Sequence, residues 1–252
     1  MMSAGAGGPV RNLLLRALPT PALDAVRPHL EPTGLARHGA LPVPHDPLRS
    51  VYFIESGFVS VVLSVGSSTS EIGLVGPEGM LGVPAFLGSH ASGYRAVVRQ
   101  EGTALRASVD RLREVAAVHR EIQDLVLRFV QAEIVQVAHT SFANGRLPVI
   151  ERLARWILMA HDRIEGDTLR ITHDVLADAL DVRRPGVTTA LHELEGERAI
   201  RSRRNALAVL DRERLKARAG PAYGPAEAAY QILVGQKLAR GDSPAAMASR
   251  VA

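Results

Sequence analysis

"LADALDVRRPGVTTALHEL", residues 176–194, reads as helix at both ends and as an interruption in the middle. Leu176, Ala177 and Leu180 share one helical face, and Val187, Leu191 and Leu194 resume that spacing after two arginines, a proline and a glycine. The stretch is therefore two helices joined by a tight turn. Proline lacks an N–H and clashes with the preceding turn, so it is tolerated only at a helix start, and Pro185 places the second start to within about one or two residues. Arg183 and Arg184 stand at that start. Unpaired backbone N–H groups already make a helix N-terminus positive, and each added cation costs about 0.3 to 1 kcal/mol there. An anionic partner turns that cost into affinity.

Outward from this pair, the pattern completes a small domain over 146–219. Upstream, "NGRLP" breaks a helix and Pro148 opens the next, "PVIERLARWILMAHDRI", with Ile150, Leu153, Ala154, Ile157 and Leu158 on its core face. A short extended piece, "TLRIT", follows, and Thr172 caps the first helix of the opening stretch with Asp174 in its first turn. Downstream, "AIRSRRNALAVL" reads as a two-stranded hairpin turning near Arg204-Asn205. Three helices and a hairpin are the order of a winged helix. The charge agrees: of a net +4, residues 146–219 carry 15 basic against 12 acidic side chains, and residues 1–145 are balanced at 12 and 12. The cations cluster in Arg183-Arg184 and in the hairpin's Arg201, Arg203 and Arg204, a local basic surface of the kind that meets nucleic acid.

The first half has a different period. "MMSAGAGGPV" is a flexible N-terminus, residues 1–10, and Arg11 to His29 reads as one short helical piece. In "SVYFIESGFVSVVLSV" Val59, Val61, Leu63 and Val65 alternate with Ser60, Val62 and Ser64, the two-residue period of a strand. "EIGLV" is another strand, "GSSTS" and "GPEG" are turns, and "YRAVVRQ" and "TALRAS" are two more strands around Glu101-Gly102. This spacing predicts a small antiparallel β-roll over 11–118. A helix of roughly 40 Å follows over 119–145. Ile122, Leu125, Phe129, Ala132, Gln136 and His139 step by three and four, while Val126, Val130, Ile134 and Val137 mark a second apolar face. A helix apolar on two sides has two neighbours: the roll, and the same helix of a second copy, with the Ile122-to-His139 row assigned to pairing. Residues 220–252 hold one more helix, "PAEAAYQILVGQKLAR", and a small-residue tail. The expected class is α+β.

With no cysteine, disulfides, thiolate catalysis and cysteine-ligated metal are out. No apolar run reaches the roughly 18 residues of a membrane span, which points to a cytoplasmic protein. His161-Asp162 and His173-Asp174 are "HD" dyads, and histidine with aspartate can hold a divalent metal and activate water, so a metal-dependent phosphohydrolase is one alternative. A dyad is only two residues, however, and such enzymes need further ligands. A second alternative is a ligand- or partner-binding module with no DNA function, against which the paired arginines and the basic hairpin argue. No cofactor or metal site is read from the sequence, and CxxCH is absent.

Over 11–219 the chain resembles the Crp/Fnr superfamily of bacterial transcription regulators. The likeness rests on "ITHDVLADALDVRRPGVTTALHELEGERAIRSRRNALAVL" and on the upstream order of roll, long helix and hinge. Ala177 stands where the motif's helices cross, Val187 where the second seats on the first, and Asp181 replaces the glycine frequent in the turn. The resemblance implies a homodimer on a pseudo-palindromic operator in double-stranded DNA, with RNA polymerase and a small-molecule effector as further partners. It implies that Arg184 reads a guanine edge, that Arg183, Pro185, Thr188, Thr189 and His192 share the recognition surface, and that Arg201, Arg203 and Arg204 flank it. Pro185 and Thr189 stand where the family's cyclic-AMP receptor has Glu and Arg, which implies a different target. The sensor half departs more. Cyclic-nucleotide-binding members carry Gly-Glu and Arg-Ser, whereas this chain has Gly82-Val83 and Tyr94-Arg95. Valine cannot bind a ribose hydroxyl, and an arginine displaced by one position on a strand points to the opposite face. Cyclic AMP is therefore not the expected effector.

Overall fold

The computed structural model describes residues 9–37, 40–41, 49–66, 68–236 and 238. They divide into two compact units, one ending at Gln131 and the other beginning at Ala132. Residues 1–8 of the expected N-terminal segment, and residues 237 and 239–252 of the expected C-terminal tail, lie outside the described residues.

In the first unit, α1 (Leu13–Ala17) and α2 (Thr20–Val26), followed by a 3-10 turn at Arg27–His29, precede the strands β1 (Glu31–Leu35), β2 (Ala40–Leu41), β3 (Ser50–Val65), β4 (Ser68–Val75) and β5 (Met80–Leu81). Then come α3 (Val83–Phe86), β6 (Arg95–Ser108), α4 (Val109–Val118) and α5 (Arg120–Arg146), whose first turns close the unit. Pro19 splits the single N-terminal helix expected from sequence into two. All pairing is antiparallel, in the order β1-β6-β3-β4, with β2 on β6 and β5 on β3. The two strands expected around Glu101-Gly102 are one continuous 14-residue strand. Its backbone passes the bulged stretch Ile54 to Val59 of β3, where Gly57 (φ +74°) and Gly102 face each other so closely that a side-chain carbon on either would overlap the opposite carbonyls. Glycine here bends a strand pair instead of ending it.

The roll's interior is apolar, built on Ile54, Val59, Val61, Val75, Ala96 and Val98. A second apolar layer lies outside the sheet, where Leu14 and Leu15 of α1, Leu112 of α4 and Ile122 and Leu125 of α5 converge on Phe53 and Met80. Asn12 pins this layer: fully buried, it donates to the carbonyls of Ile54 and Gly79 (2.8 Å each) and caps α1 by accepting from Leu15 N (3.1 Å).

α5 corrects the assignment of its two faces. Ile122, Leu125, Phe129 and Ala132, expected to pair two chains, are buried within this one, and Gln136 and His139 are half-buried. The Phe129 ring lies against Gly79 in space that a methyl group there would fill. The exposed apolar row is instead Leu127, Ile134, Val137 and Phe142, with half-buried Val130 between them. Periodicity reveals two stripes, but only the fold decides which one the roll consumes.

In the second unit, the end of α5 is followed by α6 (Val149–His161), β7 (Thr168–Leu169), α7 (His173–Leu180), α8 (Arg184–Gly196), the hairpin β8 (Ile200–Arg203) and β9 (Ala206–Val209), α9 (Arg212–Ala219), a 3-10 turn at Gly220–Ala222 and α10 (Pro225–Val234). β7, β9 and β8 form a three-stranded antiparallel sheet. α6 is the core helix, buried continuously from Leu153 to His161. The described part of the segment after Ala219 is packed onto the unit. Buried Arg155 donates to Ala222 O (3.0 Å) and to Thr140 Oγ1 on α5 (3.2 Å), and Ala226, Tyr230, Val234 and Leu238 are buried.

Candidate nucleic-acid interface

The candidate surface begins with how α7 stops and α8 starts. Thr172 caps α7 by accepting from Val175 N (3.2 Å). Asp181 ends it in the left-handed conformation (φ 49°), the conformation its turn demands and which aspartate tolerates better than most residues. Val182 N then donates to Ala177 O (3.0 Å), and Arg152 of α6 donates to Leu180 O, so the turn's backbone is satisfied from two sides. Arg183, extended, is the N-cap of α8 and makes no side-chain cap. Val187, Ala190, Leu191 and Leu194 bury one face of α8, which leaves Arg183, Arg184, Pro185, Thr189 and His192 exposed and Thr188 half-buried.

Two hydroxyls on the exposed face are already committed. Thr188 Oγ1 donates to Arg184 O and Thr189 Oγ1 to Pro185 O, both at 3.1 Å. Both protons are spent on the helix; Thr189, the exposed one of the two, is left with a methyl group and acceptor lone pairs, suited to a thymine methyl or a base amino group, whereas half-buried Thr188 meets His173.

The hairpin is bound to α8 by a hydrogen bond from Ser202 N to Glu195 Oε1 (2.6 Å). Arg201 pairs with Ala208 and Arg203 with Ala206, on one face of the hairpin, and Asn205 (φ 58°) makes the tight turn beside Arg204. All three arginines are exposed. Two further residues belong to this surface and were not read from sequence in that role. His173 sits between α8 and the hairpin, with Nδ1 3.4 Å from Thr188 Oγ1 and Nε2 3.5 Å from Ser202 Oγ. Asp174 Oδ1 lies 3.4 Å from Arg184 Nε. Both form the second "HD" dyad, whose spacing in sequence carries no sign of these long-range contacts.

The first dyad is internal. Arg212 Nη1 donates to His161 Nδ1 (3.1 Å), which leaves His161 Nε2 to meet Asp167 Oδ1 (3.0 Å). Arg212 also donates to Asp162 and to the Tyr223 hydroxyl, and Tyr223 donates to Asp162 Oδ2 (2.7 Å). Burial pushes the Asp162 carboxyl up to about 6, against the pull of Arg212; Glu227 adds to the rise, while the Tyr223 hydrogen bond and Arg163 oppose it. The Tyr223 hydroxyl is held well above its ordinary range, by burial first and by the Asp162 charge next. Among the described residues no group of three or more His, Asp or Glu could hold a metal ion. No described helix is long and apolar enough to cross a membrane.

In the roll, Gly82 adopts φ +86° at the start of α3, where a side-chain carbon would overlap the Ser50 carbonyl, and Val83 is buried. Tyr94 is half-buried against the interior core. Arg95 stands opposite Val62, out of phase with Ala96 and Val98, which belong to that core. The roll's buried polar cluster lies elsewhere: Arg99 Nε donates to Ser60 Oγ (2.8 Å), and Ser60 donates to Glu71, with Ser60 and Glu71 both buried.

Comparison with known proteins bears on both halves. The sequence pattern of the cyclic nucleotide-binding domain matches residues 38–119, and that of the Crp-like helix-turn-helix domain matches residues 151–218. No curated protein matches the chain. Among solved structures, FixK2 from Bradyrhizobium japonicum is similar over 76% of this chain and 98% of its own, at 15% identity and a TM-score of 0.65. CLP of Xanthomonas campestris, a c-di-GMP responsive global regulator, is similar over 76% and 99%, at 16% and 0.61. A transcriptional regulator of the CRP family from Thermus thermophilus is similar over 75% and 96%, at 21% and 0.55. At these identities the structural likeness speaks for the fold alone. With a cyclic nucleotide-binding domain ahead of a Crp-like helix-turn-helix domain, the chain belongs to the Crp/Fnr superfamily of transcription regulators.

Proposed function

We propose that this regulator acts as a homodimer that binds a pseudo-palindromic DNA site, with α8 in the major groove and the β8–β9 hairpin against the backbone. The observation that carries the reading is the paired cation at the start of α8. Arg183 and Arg184 stand exposed at an N-terminus where no acidic residue occupies the first turn, on the helix that a hydrogen bond ties to a hairpin bearing three exposed arginines. Phosphate oxygens and guanine edges satisfy these groups; a protein partner would need a matching acidic surface. Arg184 is the base reader, and Arg201, Arg203 and Arg204 hold phosphates.

The second copy joins along the exposed apolar row of α5. Leu127, Ile134, Val137 and Phe142 are each more than a third exposed in one chain, and water is a poor neighbour for such a ridge. The sensor half does not use cyclic AMP: Val83 offers no acceptor for a ribose hydroxyl, and Arg95 is out of phase with the interior. These two "HD" dyads support no enzymatic alternative, since His161 and Asp162 are tied to Arg212, and His173 and Asp174 belong to the surface proposed to face DNA. Selection of bound fragments from a random DNA pool tests the proposal as a whole. A recovered two-fold symmetric motif supports it, and recovery of unrelated sequences overturns it.

A further inference from the structure

The second "HD" dyad opens α7 and is not needed to explain DNA contact, yet both of its side chains reach the elements that make that contact. Asp174 Oδ1 is 3.4 Å from Arg184 Nε, and both side chains remain about two-thirds exposed, so the pair stands on the surface that faces DNA in the proposed function. His173 places that carboxylate. Its ring touches Thr188 of the recognition helix and Ser202 of the hairpin, which holds the first turn of α7 against both.

A guanidinium has two usable edges. One is made by Nε with one terminal nitrogen, and the other by the two terminal nitrogens. The carboxylate approaches Nε, which leaves the edge of the two terminal nitrogens available, the fork that matches guanine O6 and N7. A carboxylate beside the cation has a second effect. Phosphate is attracted by net charge from any direction, so a half-neutralised arginine is a poorer phosphate ligand, whereas a directed pair of donors to a base edge loses less.

We propose that Asp174 is a specificity-determining positioning residue, which holds the Arg184 fork for a base edge and penalises its capture by phosphate. The proposal rests on the reading of α8 as the recognition helix and of Arg184 as its base contact. The test uses full-length protein and two DNA duplexes of equal length, the site recovered by selection and a shuffled version of it. Asp174→Asn, which keeps size and removes charge, should bind shuffled DNA more tightly and the selected site no more tightly. The ratio of the two affinities should fall about threefold to tenfold, both half-sites counted. In an Arg184→Ala background the same substitution should leave the ratio unchanged, because its effect passes through Arg184. A loss of both affinities together with a lower unfolding temperature would show a role in the fold only, and an equal gain in both affinities would show general charge repulsion only; either overturns the proposal. Failure of the wild-type protein to distinguish the two duplexes would overturn the underlying reading of α8, a separate result.

Discussion

Phe129 and Ile134 lie about 140° apart around the axis of α5, and one is 3% exposed while the other is 56% exposed. The same helix thus carries one residue buried within the chain and one exposed on its surface. Glutamate at the two positions should fail in different ways. Ile134→Glu should yield a folded monomer by sedimentation equilibrium, with unchanged helix content and weak DNA binding. Phe129→Glu places a charge against Gly79 and should cost about 3 kcal/mol or more, read as a large drop in unfolding temperature. A dimeric Ile134→Glu protein would move the pairing surface off this ridge.

Arg184 and Arg203 separate base reading from backbone binding. Arg184→Ala should lose about 1 to 3 kcal/mol on the selected site and relax preference at one base pair per half-site. Arg203→Ala should weaken selected and shuffled DNA alike and reduce the salt slope by about one for each phosphate that is no longer neutralised, with both subunits included. The half-sites should be centred about 34 to 36 Å apart, one helical turn. An unchanged affinity ratio in Arg184→Ala would remove that residue from base reading.

Titration with cyclic AMP by calorimetry at low salt should show no heat of binding and no gain in DNA affinity. The grounds are local: buried Val83 at the start of α3 and Arg95 out of phase with Ala96 and Val98. Micromolar binding would mean that other groups of the roll hold the nucleotide.

What the sequence made legible was what local chemistry decides. Pro185 marks the start of α8 because proline has one place in a helix, and Asp181 adopts the left-handed turn that its position between two apolar periods requires. The strand pattern of 59–65 and the hairpin turn at Asn205 are equally local. Gly102 misled, because a glycine in a strand pattern signals a turn or a close approach, and only the facing Gly57 distinguishes them. α4 is not legible in this way: Val109, Leu112 and Ala116 stand at helical spacing, but "VDRLREVAAV" sits directly between a strand and a long helix with no glycine or proline to set it apart. The two stripes of α5 were visible, but their partners were not. The contacts of Asp174 with Arg184 and of Tyr223 with Asp162 join residues brought together only by folding.

The Tyr223–Asp162 contact gives the segment after the hairpin a physical role and a measurable signature. Tyr223 donates to Asp162, and Arg212, its side chain only 15% exposed, closes the cluster between them. The folded pKa of Asp162, about 6, lies above its ordinary value of 3.8 because burial outweighs the attraction of Arg212. Between those values the folded protein holds a proton that the unfolded chain releases. The contribution of Asp162 to stability is therefore fullest below about pH 4, declines as pH rises through 6, and changes little above that. Asp162→Asn cannot titrate, so its stability relative to wild type should improve between pH 4 and pH 7, by on the order of 1 to 3 kcal/mol. Arg212→Met removes the opposing attraction. It should extend the declining window to higher pH and destabilise the protein at pH 7 by about 3 to 5 kcal/mol, since it leaves a buried carboxylate unpaired. Thermal unfolding of the three proteins across pH 4 to 8 measures both effects. A gap between wild type and Asp162→Asn that does not vary with pH would mean that Arg212 and Tyr223 compensate the buried carboxylate fully, with the cluster ionised throughout.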